Sequence, residues 1–543
     1  MRTRQELKRL YHSSEFQKKY LYEGSDLGAV CTEEGTSFLL WSPLAENVKL
    51  RFYKDGEKAS CHQVVSMEKE EKGVWAYRTG ESLHGVYYDY ELTFDGEKTV
   101  TGDPYARACG VNGNRSMVCN LKKTDPQVWD EDKRPEPSPE NVIYELHVKE
   151  FSWDASGGFK KENRGKYRAF TEEHTTLHGN GVHPTGLDYL KELGVTHVQI
   201  MPAYDYGSVD EKSETDFNWG YDPVQYRVLE GSFSTEPANP YGRMFELTKL
   251  IEECHKQGIR VNLDVVFNHV YDKETHAFEN TVPNYYFQMN ENGDFSNGTY
   301  CGNDVDSRRN MCHKYIVDAC TYLVRTYHID GFRFDLMGIL DVATINAVYE
   351  ACKALNPDFM VYGEGWDMPS FLDSGKRASI SNNAQMPYVA HFSDRFRDVV
   401  KGRTNTNEVS VKGYCTGAVY LLDIMKNCLS GSCTNIGMEP MFTHPRNAVN
   451  YVECHDNMTS WDKLKECCKE DSKEVRIARA KMLMAAVLLA EGIPFIHSGQ
   501  EFARSKHGLP NTYEESDEIN KLDYLRRNQY QDRKSTRQKS SHI

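Results

Sequence analysis

The sequence predicts an α/β protein, a (β/α)8 TIM barrel preceded by an all-β sandwich. Three observations carry this. Short β-type runs crowd residues 36–121, separated by Gly and Asp/Glu turns. From residue 141 on, strand-like apolar runs alternate with helical stretches, the rhythm of a parallel sheet. Eight such runs occur, enough to close a barrel.

The elements follow in order. Residues 1–24 read as a highly charged helical segment without the apolar run of a signal peptide. Residues 25–125 hold the runs TSFLLWSP, NVKLRFY, GVWAYRTG, GVYYDYELTF and RSMVCNL, whose spacing suggests a β-sandwich. Residues 126–140 contain KRPEPSPE, with three prolines in five residues, and read as a stiff linker. Residues 141–515 read as the barrel. Its strand candidates are NVIYELHV, GVTHVQIMP, GIRVNLDVVFNH, DGFRFDLM, FMVYGEGW, YVAHFSD, AVNYVECHD and GIPFIHSGQEF. A strandless insertion at about 270–310 follows the third. An open doubly wound sheet is the alternative, but no GxGxxG or Walker-type loop supports it. Residues 516–543 end in QYQDRKSTRQKSSHI, polar and basic, and read as a truncated or disordered tail. With so little apolar sequence left to cover the eighth strand, Ile493 and Phe495 are expected to be partly exposed.

Composition narrows the partners. At 543 residues the chain is too long for one core. The net charge is −15, and no Lys/Arg stripe is interleaved with aromatics, which argues against nucleic acid. No stretch of about 20 apolar residues exists to span a membrane. The 15 cysteines are odd in number and never form CxxC pairs, so they read as reduced thiols in the cytoplasm. No Cys/His cluster has zinc spacing, and no EF-hand loop appears. No cofactor is expected, although scattered carboxylates leave a structural calcium site open.

The stretch HIDGFRFDLMGI (328–339) carries the chemistry. It reads as a buried strand, yet it contains Arg333 and Asp335. A buried ion costs several kcal/mol unless it is paired or working. Strand side chains alternate, so both point the same way, into a barrel. A cation two residues away favours the ionised carboxylate, which suits a nucleophile. Other strand ends are polar too: Asn268 and His269, Glu364, and His455 with Asp456. A single Asp closing a strand is usually a helix cap, and a lone His a satisfied core residue. On four separate strands together, at the end where barrel chemistry happens, they point to one acidic site. Glu364, between two glycines and with no cation beside it in sequence, is the carboxyl that keeps its proton. An ionised and a protonated carboxyl form the pair that glycoside hydrolysis needs.

At these residues the chain resembles the α-amylase superfamily. DVVFNH, GFRFD, GEGW and ECHDN are similar to its four barrel motifs, in order, and GVTHVQIMP and GIPFIHSGQEF to two more. FNWGYDP (217–223) looks like the pullulanase signature, with Phe217 where the signature usually has Tyr; CGNDV (301–305) and NMTSWDKL (457–464) also resemble type I pullulanases. FLLWSPLAENVKLRFY is similar to a starch-binding sandwich, and the family's C-terminal sandwich is missing. The resemblance implies Asp335 as nucleophile, Glu364 as general acid/base and Asp456 as transition-state stabiliser. It further implies Tyr221, Asp222, His269, Arg333, Trp366 and His455 as substrate-binding residues, and Asp264 as a structural aspartate.

The expected activity is cleavage of α-1,6 bonds in pullulan, limit dextrins or glycogen fragments, with an α-glucan as partner. An isoamylase-type debrancher or an α-1,4-acting amylase is the nearest alternative. A glycan-binding protein with a dead barrel is the alternative of another class. A Ser498–His497 triad is disfavoured because no GxSxG elbow exists.

Overall fold

The structure, a computed structural model, describes residues 2–125 and 129–529. The chain starts with two short helices, Arg4–His12 and Ser14–Tyr20. The first opens on a capping box in which Thr3 and Glu6 satisfy each other's backbone N–H groups. Two antiparallel sheets follow. One joins Gly28–Cys31, Thr36–Trp41, Val74–Thr79 and Glu68–Lys69. The other joins Gln63–Ser66, Asn47–Tyr53, Tyr87–Phe94 and Glu97–Thr101, with Ser116–Met117 beside Tyr87–Phe94. Alternate residues of facing strands, among them Phe38, Leu40, Leu50, Phe52, Tyr88 and Tyr90, form the core between them.

Eight parallel strands then close a barrel: β1 (Ile143–Leu146), β2 (His197–Ile200), β3 (Arg260–Val265), β4 (Gly331–Phe334), β5 (Met360–Gly363), β6 (Val389–Phe392), β7 (Ala448–Asn450) and β8 (Ile493–His497). β8 returns to β1 with Phe495 opposite Ile143 and His497 opposite Glu145, so no edge is left. Local chemistry sets the helices between strands. Pro240–Lys256, before β3, has Pro at its first position, where the missing N–H costs nothing, and Asn239 as its cap. Asn310–Tyr327, before β4, stops at His328, which turns left-handed at φ 51°.

Inside the barrel, Ile143, Tyr362, Phe392, Val449, Tyr451 and Phe495 fill the base, with the Phe392 and Phe495 rings 4.9 Å apart. Phe495 is therefore fully buried, contrary to the expectation that it would be exposed; Ile493 is half-buried. The reason is register. Positions 493, 495 and 497 face inward, so cover on the outside of β8 matters to Ile496, which is also buried. Downstream, Leu522 and Tyr524 are fully buried, and Leu522 N–H donates to Glu150 O at 3.0 Å. The tail from 530 to 543, expected to be disordered, lies outside the described residues.

The proline-rich segment is held against the barrel along its described part. Trp129 stacks on His328 with ring centroids 4.2 Å apart, and Asp132 pairs with both His255 and His328. Arg260 donates to Pro135 O at 2.7 Å. The insertion after β3 seats the N-terminal module: Trp41 packs edge-on to Tyr285 at 4.9 Å, and Ser42 Oγ donates to Thr281 O at 2.7 Å.

Candidate active site

One guanidinium organises the C-terminal mouth of the barrel. Arg333, on β4, is 2% exposed. Its Nη1 donates to Asp264 Oδ1 and Oδ2 at 2.9 and 3.0 Å and to Asp335 Oδ1 at 2.9 Å. Its Nη2 lies 2.8 Å from Glu364 Oε1. Parallel register produces this, since Asp264 on β3 sits opposite Arg333. Three carboxyls thus share one cation, more than it can neutralise. Burial pushes Asp264 up to about 7 against the pull of Arg333.

Asp335 is held from its other side. Asn268 Nδ2 donates at 2.8 Å both to its carbonyl and to Oδ2. With one oxygen on Arg333 and the other on Asn268, the carboxylate is fixed in orientation. Glu364 accepts a second bond, from Leu336 N–H at 3.1 Å; Leu336 is left-handed, at φ 37°. Burial raises the Glu364 carboxyl above its usual range, with Asp335 adding to the rise and Arg333 and the Leu336 N–H opposing it. The loops after β4 and β5 close on each other at Gly338, where a Cβ would fall 1.9 Å from Trp366 O. Trp366 packs half-buried against the Tyr362–Phe392–Tyr451 cluster.

His455 and Tyr221 line the neighbouring wall. Their rings stack at 4.9 Å and 18°, and Tyr221 OH donates to Asp264 Oδ2 at 2.7 Å. His455 rests on Glu145 of β1, a residue that sequence reasoning missed. Glu145 Oε2 accepts the His455 backbone N–H at 2.8 Å, and Oε1 lies 2.7 Å from His455 Nδ1. Gln199 Nε2 donates to the same Oε1 at 3.1 Å and itself accepts from Tyr362 OH at 2.8 Å. Burial disfavours a charged imidazole, but the Glu145 carboxylate outweighs it and lifts His455 to about 9. Burial likewise opposes the Glu145 charge, and the His455 charge and bond hold its carboxyl down at about 2. The signal for Glu145 was an anion inside an apolar strand, the same one that gave Asp335.

The remaining expected residues are placed as follows. Asp456 is half-exposed at the mouth, its Oδ2 3.8 Å from His455 Nε2. His269 is buried beside Asn268, and burial lowers it to about 4, so it is neutral. Phe217 packs against His147 with centroids 5.0 Å apart. The Asp222 carboxylate accepts from Ser208 Oγ, and its main-chain carbonyl accepts the Gly207 N–H; among the described residues no hydrogen bond ties it to Asp335 or Glu364.

Among the described residues one other carboxyl group has metal-like spacing. Asp205, Glu211 and Glu230 bring ligand atoms within 4.8 Å of one another, all buried. Arg243 already supplies a cation there, with Nη1 and Nη2 each 2.8 Å from Glu211. Burial raises Asp205 well above its usual range and Glu230 to about 8.

Comparison with known proteins agrees with this geometry. Residues 180–299 match the model of the α-amylase catalytic domain, and residues 26–106 that of carbohydrate-binding module 48, the isoamylase N-terminal domain. A pullulanase of Bacillus subtilis (strain 168) is 39% identical over 520 residues, covering 95% of this chain and 70% of that protein. The crystal structure of a Paenibacillus barengoltzii pullulanase, in complex with maltohexaose and α-cyclodextrin, superposes with a TM-score of 0.93 at 40% identity, over 97% of this chain and 81% of that one. A maltotriose complex of the Anoxybacillus sp. LM18-11 pullulanase gives 0.90 at 39% identity, over 96% of this chain and 73% of that one. The chain belongs to the pullulanase family.

Proposed function

We propose that the chain hydrolyses α-1,6-glucosidic bonds of branched α-glucans, such as pullulan, limit dextrins and glycogen fragments, with retention of configuration. The single observation that carries this is Arg333 holding Asp335 and Glu364 at once. Retaining glycosidases work with their two carboxyls about 5–5.5 Å apart, and a shared guanidinium keeps such a pair close. Asp335, fixed by Arg333 and Asn268, attacks the anomeric carbon. Glu364, whose carboxyl burial raises, delivers a proton to the leaving oxygen. The covalent glucosyl–Asp335 ester is then opened by water that Glu364, now a base, deprotonates. Charged His455 and Asp456 grip sugar hydroxyls next to the scissile bond, and the Tyr221 ring supplies an apolar face. Every step uses side chains, so we propose that catalysis needs no cofactor.

Glucan linkage is decided by incubation with pullulan and with amylose, followed by sizing of the products. Maltotriose units from pullulan, with amylose largely intact, are expected. Short linear fragments from amylose with pullulan untouched would move the chain to the α-1,4-acting enzymes. No hydrolysis of either would support a binding-only barrel, a reading disfavoured by the raised Glu364 carboxyl beside Asp335, for which mere binding has no use.

Among the described residues no helix is long and apolar enough to cross a membrane. All 15 cysteines are free thiols. We propose from the free thiols that the enzyme works in the reducing cytoplasm.

A further inference from the structure

The catalytic steps leave the CGNDV stretch and the loop around it unused. That loop, residues 296–305, is wound on one fully buried carboxylate. Asp304 accepts from Gly298 N–H at 2.6 Å, from Thr299 N–H and Oγ1 at 2.9 and 2.8 Å, and from Ser296 Oγ. Three clamps fasten it to the rim of the active site. Asn303 exchanges two bonds of 2.9 Å with the backbone of Val270, next to His269. Val305 N–H donates to Asn268 O at 2.9 Å, and Asn268 also holds Asp335. Phe371 N–H, on the loop beyond Glu364, donates to Ser296 Oγ at 3.2 Å.

From this anchored loop one side chain stands out. Tyr300 is 77% exposed, and its backbone is left-handed at φ 65°. Both features cost stability: an aromatic ring is left wet, and a residue with a Cβ is held where glycine is favoured. Phe371, on the adjoining loop, is 40% exposed. Strain of this kind persists where the surroundings over-determine it, and it clusters at ligand sites. A wet aromatic ring fixed at the rim of a sugar-cleaving site matches the apolar face of a glucose unit.

We propose that Tyr300 is an outer glucosyl subsite, a ring platform on which one of the α-1,4-linked chains flanking the branch point lies. This rests on the debranching reading above. The measurement is KM for pullulan together with Tm, on the full chain and on Tyr300→Gly and Tyr300→Phe. For Tyr300→Gly, KM rises about 5-fold, the size of one aromatic contact. Its Tm rises as well, because glycine accepts the left-handed backbone without strain. Tyr300→Phe keeps the KM of the wild type. An unchanged KM in Tyr300→Gly overturns the subsite. A raised KM with a lowered Tm overturns it too, since Tyr300 is then holding the loop. Wild type that releases nothing from pullulan overturns the debranching reading and the subsite with it, whereas an active wild type equalled by Tyr300→Gly overturns the subsite alone.

Discussion

Arg333 and Glu364 form a buried ion pair of 2.8 Å between Nη2 and Oε1, although 31 residues separate them in the chain. The proposed general acid is thus tied to the same cation as the proposed nucleophile. In sequence Glu364 has no cation beside it, and that isolation suggested a carboxyl left to burial alone. Burial still sets the direction, raising the Glu364 carboxyl despite Arg333. The pair gives the acid a fixed position, and the partial neutralisation keeps its proton transferable.

Replacing Arg333 by Met should therefore damage more than binding. Removing one partner from a buried ionic group costs about 3–5 kcal/mol, because the other charge is left unpaired. Here three carboxyls lose the same partner. Chemical denaturation should show a loss of that size at neutral pH, with much of it recovered as pH falls and the carboxyls take up protons. Stability equal to wild type at pH 7 would mean that the arginine does not organise the site.

Asp335→Asn keeps the shape of the side chain and removes the nucleophile. Turnover of pullulan should fall by on the order of 10^4, while binding of maltooligosaccharides is retained. Hydrolysis and binding measured side by side decide it, and near-normal turnover would remove Asp335 from its role.

Glu364→Gln should separate the two halves of the reaction. An activated leaving group departs without a proton, so its release suffers far less than cleavage of a natural glucan. Burst kinetics with an aryl maltotrioside against pullulan hydrolysis is the comparison. Equal losses on both would assign the proton elsewhere.

Much of this site was legible because charge inside an apolar strand demands a reason. Arg333, Asp335, Glu364 and His455 all stood out that way. Glu145 carries the same signal in NVIYELHV, a charge inside an apolar strand, but lies in its middle and not at its polar end. Contacts set by barrel closure were not legible. The Arg333–Glu364 pair, the Glu145–His455 pair across 310 residues and the inward face of Phe495 all depend on register between strands far apart in sequence. The proline-rich segment shows how tertiary pairing overrides composition, since Asp132 and Trp129 dock it through two histidines.

The Glu145–His455 pair sets an alkaline limit. His455 is raised to about 9, so it is charged through the neutral range and neutral above the limit. A raised histidine contributes stability that is fully present below its unfolded value of about 6.5 and lost as pH rises through 9. Glu145, depressed to about 2, contributes stability present above its unfolded value of about 4.3 and lost as pH falls towards 2. The charged groups facing His455 include Glu145, Asp456 and Arg333, with Asp264 and Glu364 beyond them, and of these only Glu145 touches Nδ1 directly. Replacing it by Gln removes the largest attraction and leaves the weaker pull of Asp456 against burial and Arg333, both of which favour neutral imidazole. The limb should then move down by roughly two pH units, towards or below the ordinary histidine value. Glu364 also has to stay protonated at high pH, so the profile is best taken with an aryl maltotrioside, whose departure does not draw on that proton. Under those conditions kcat/KM of Glu145→Gln should already be falling at pH 7, where the wild type is flat. A variant whose limb stays at 9 would show that the charge of His455 is set by something other than Glu145.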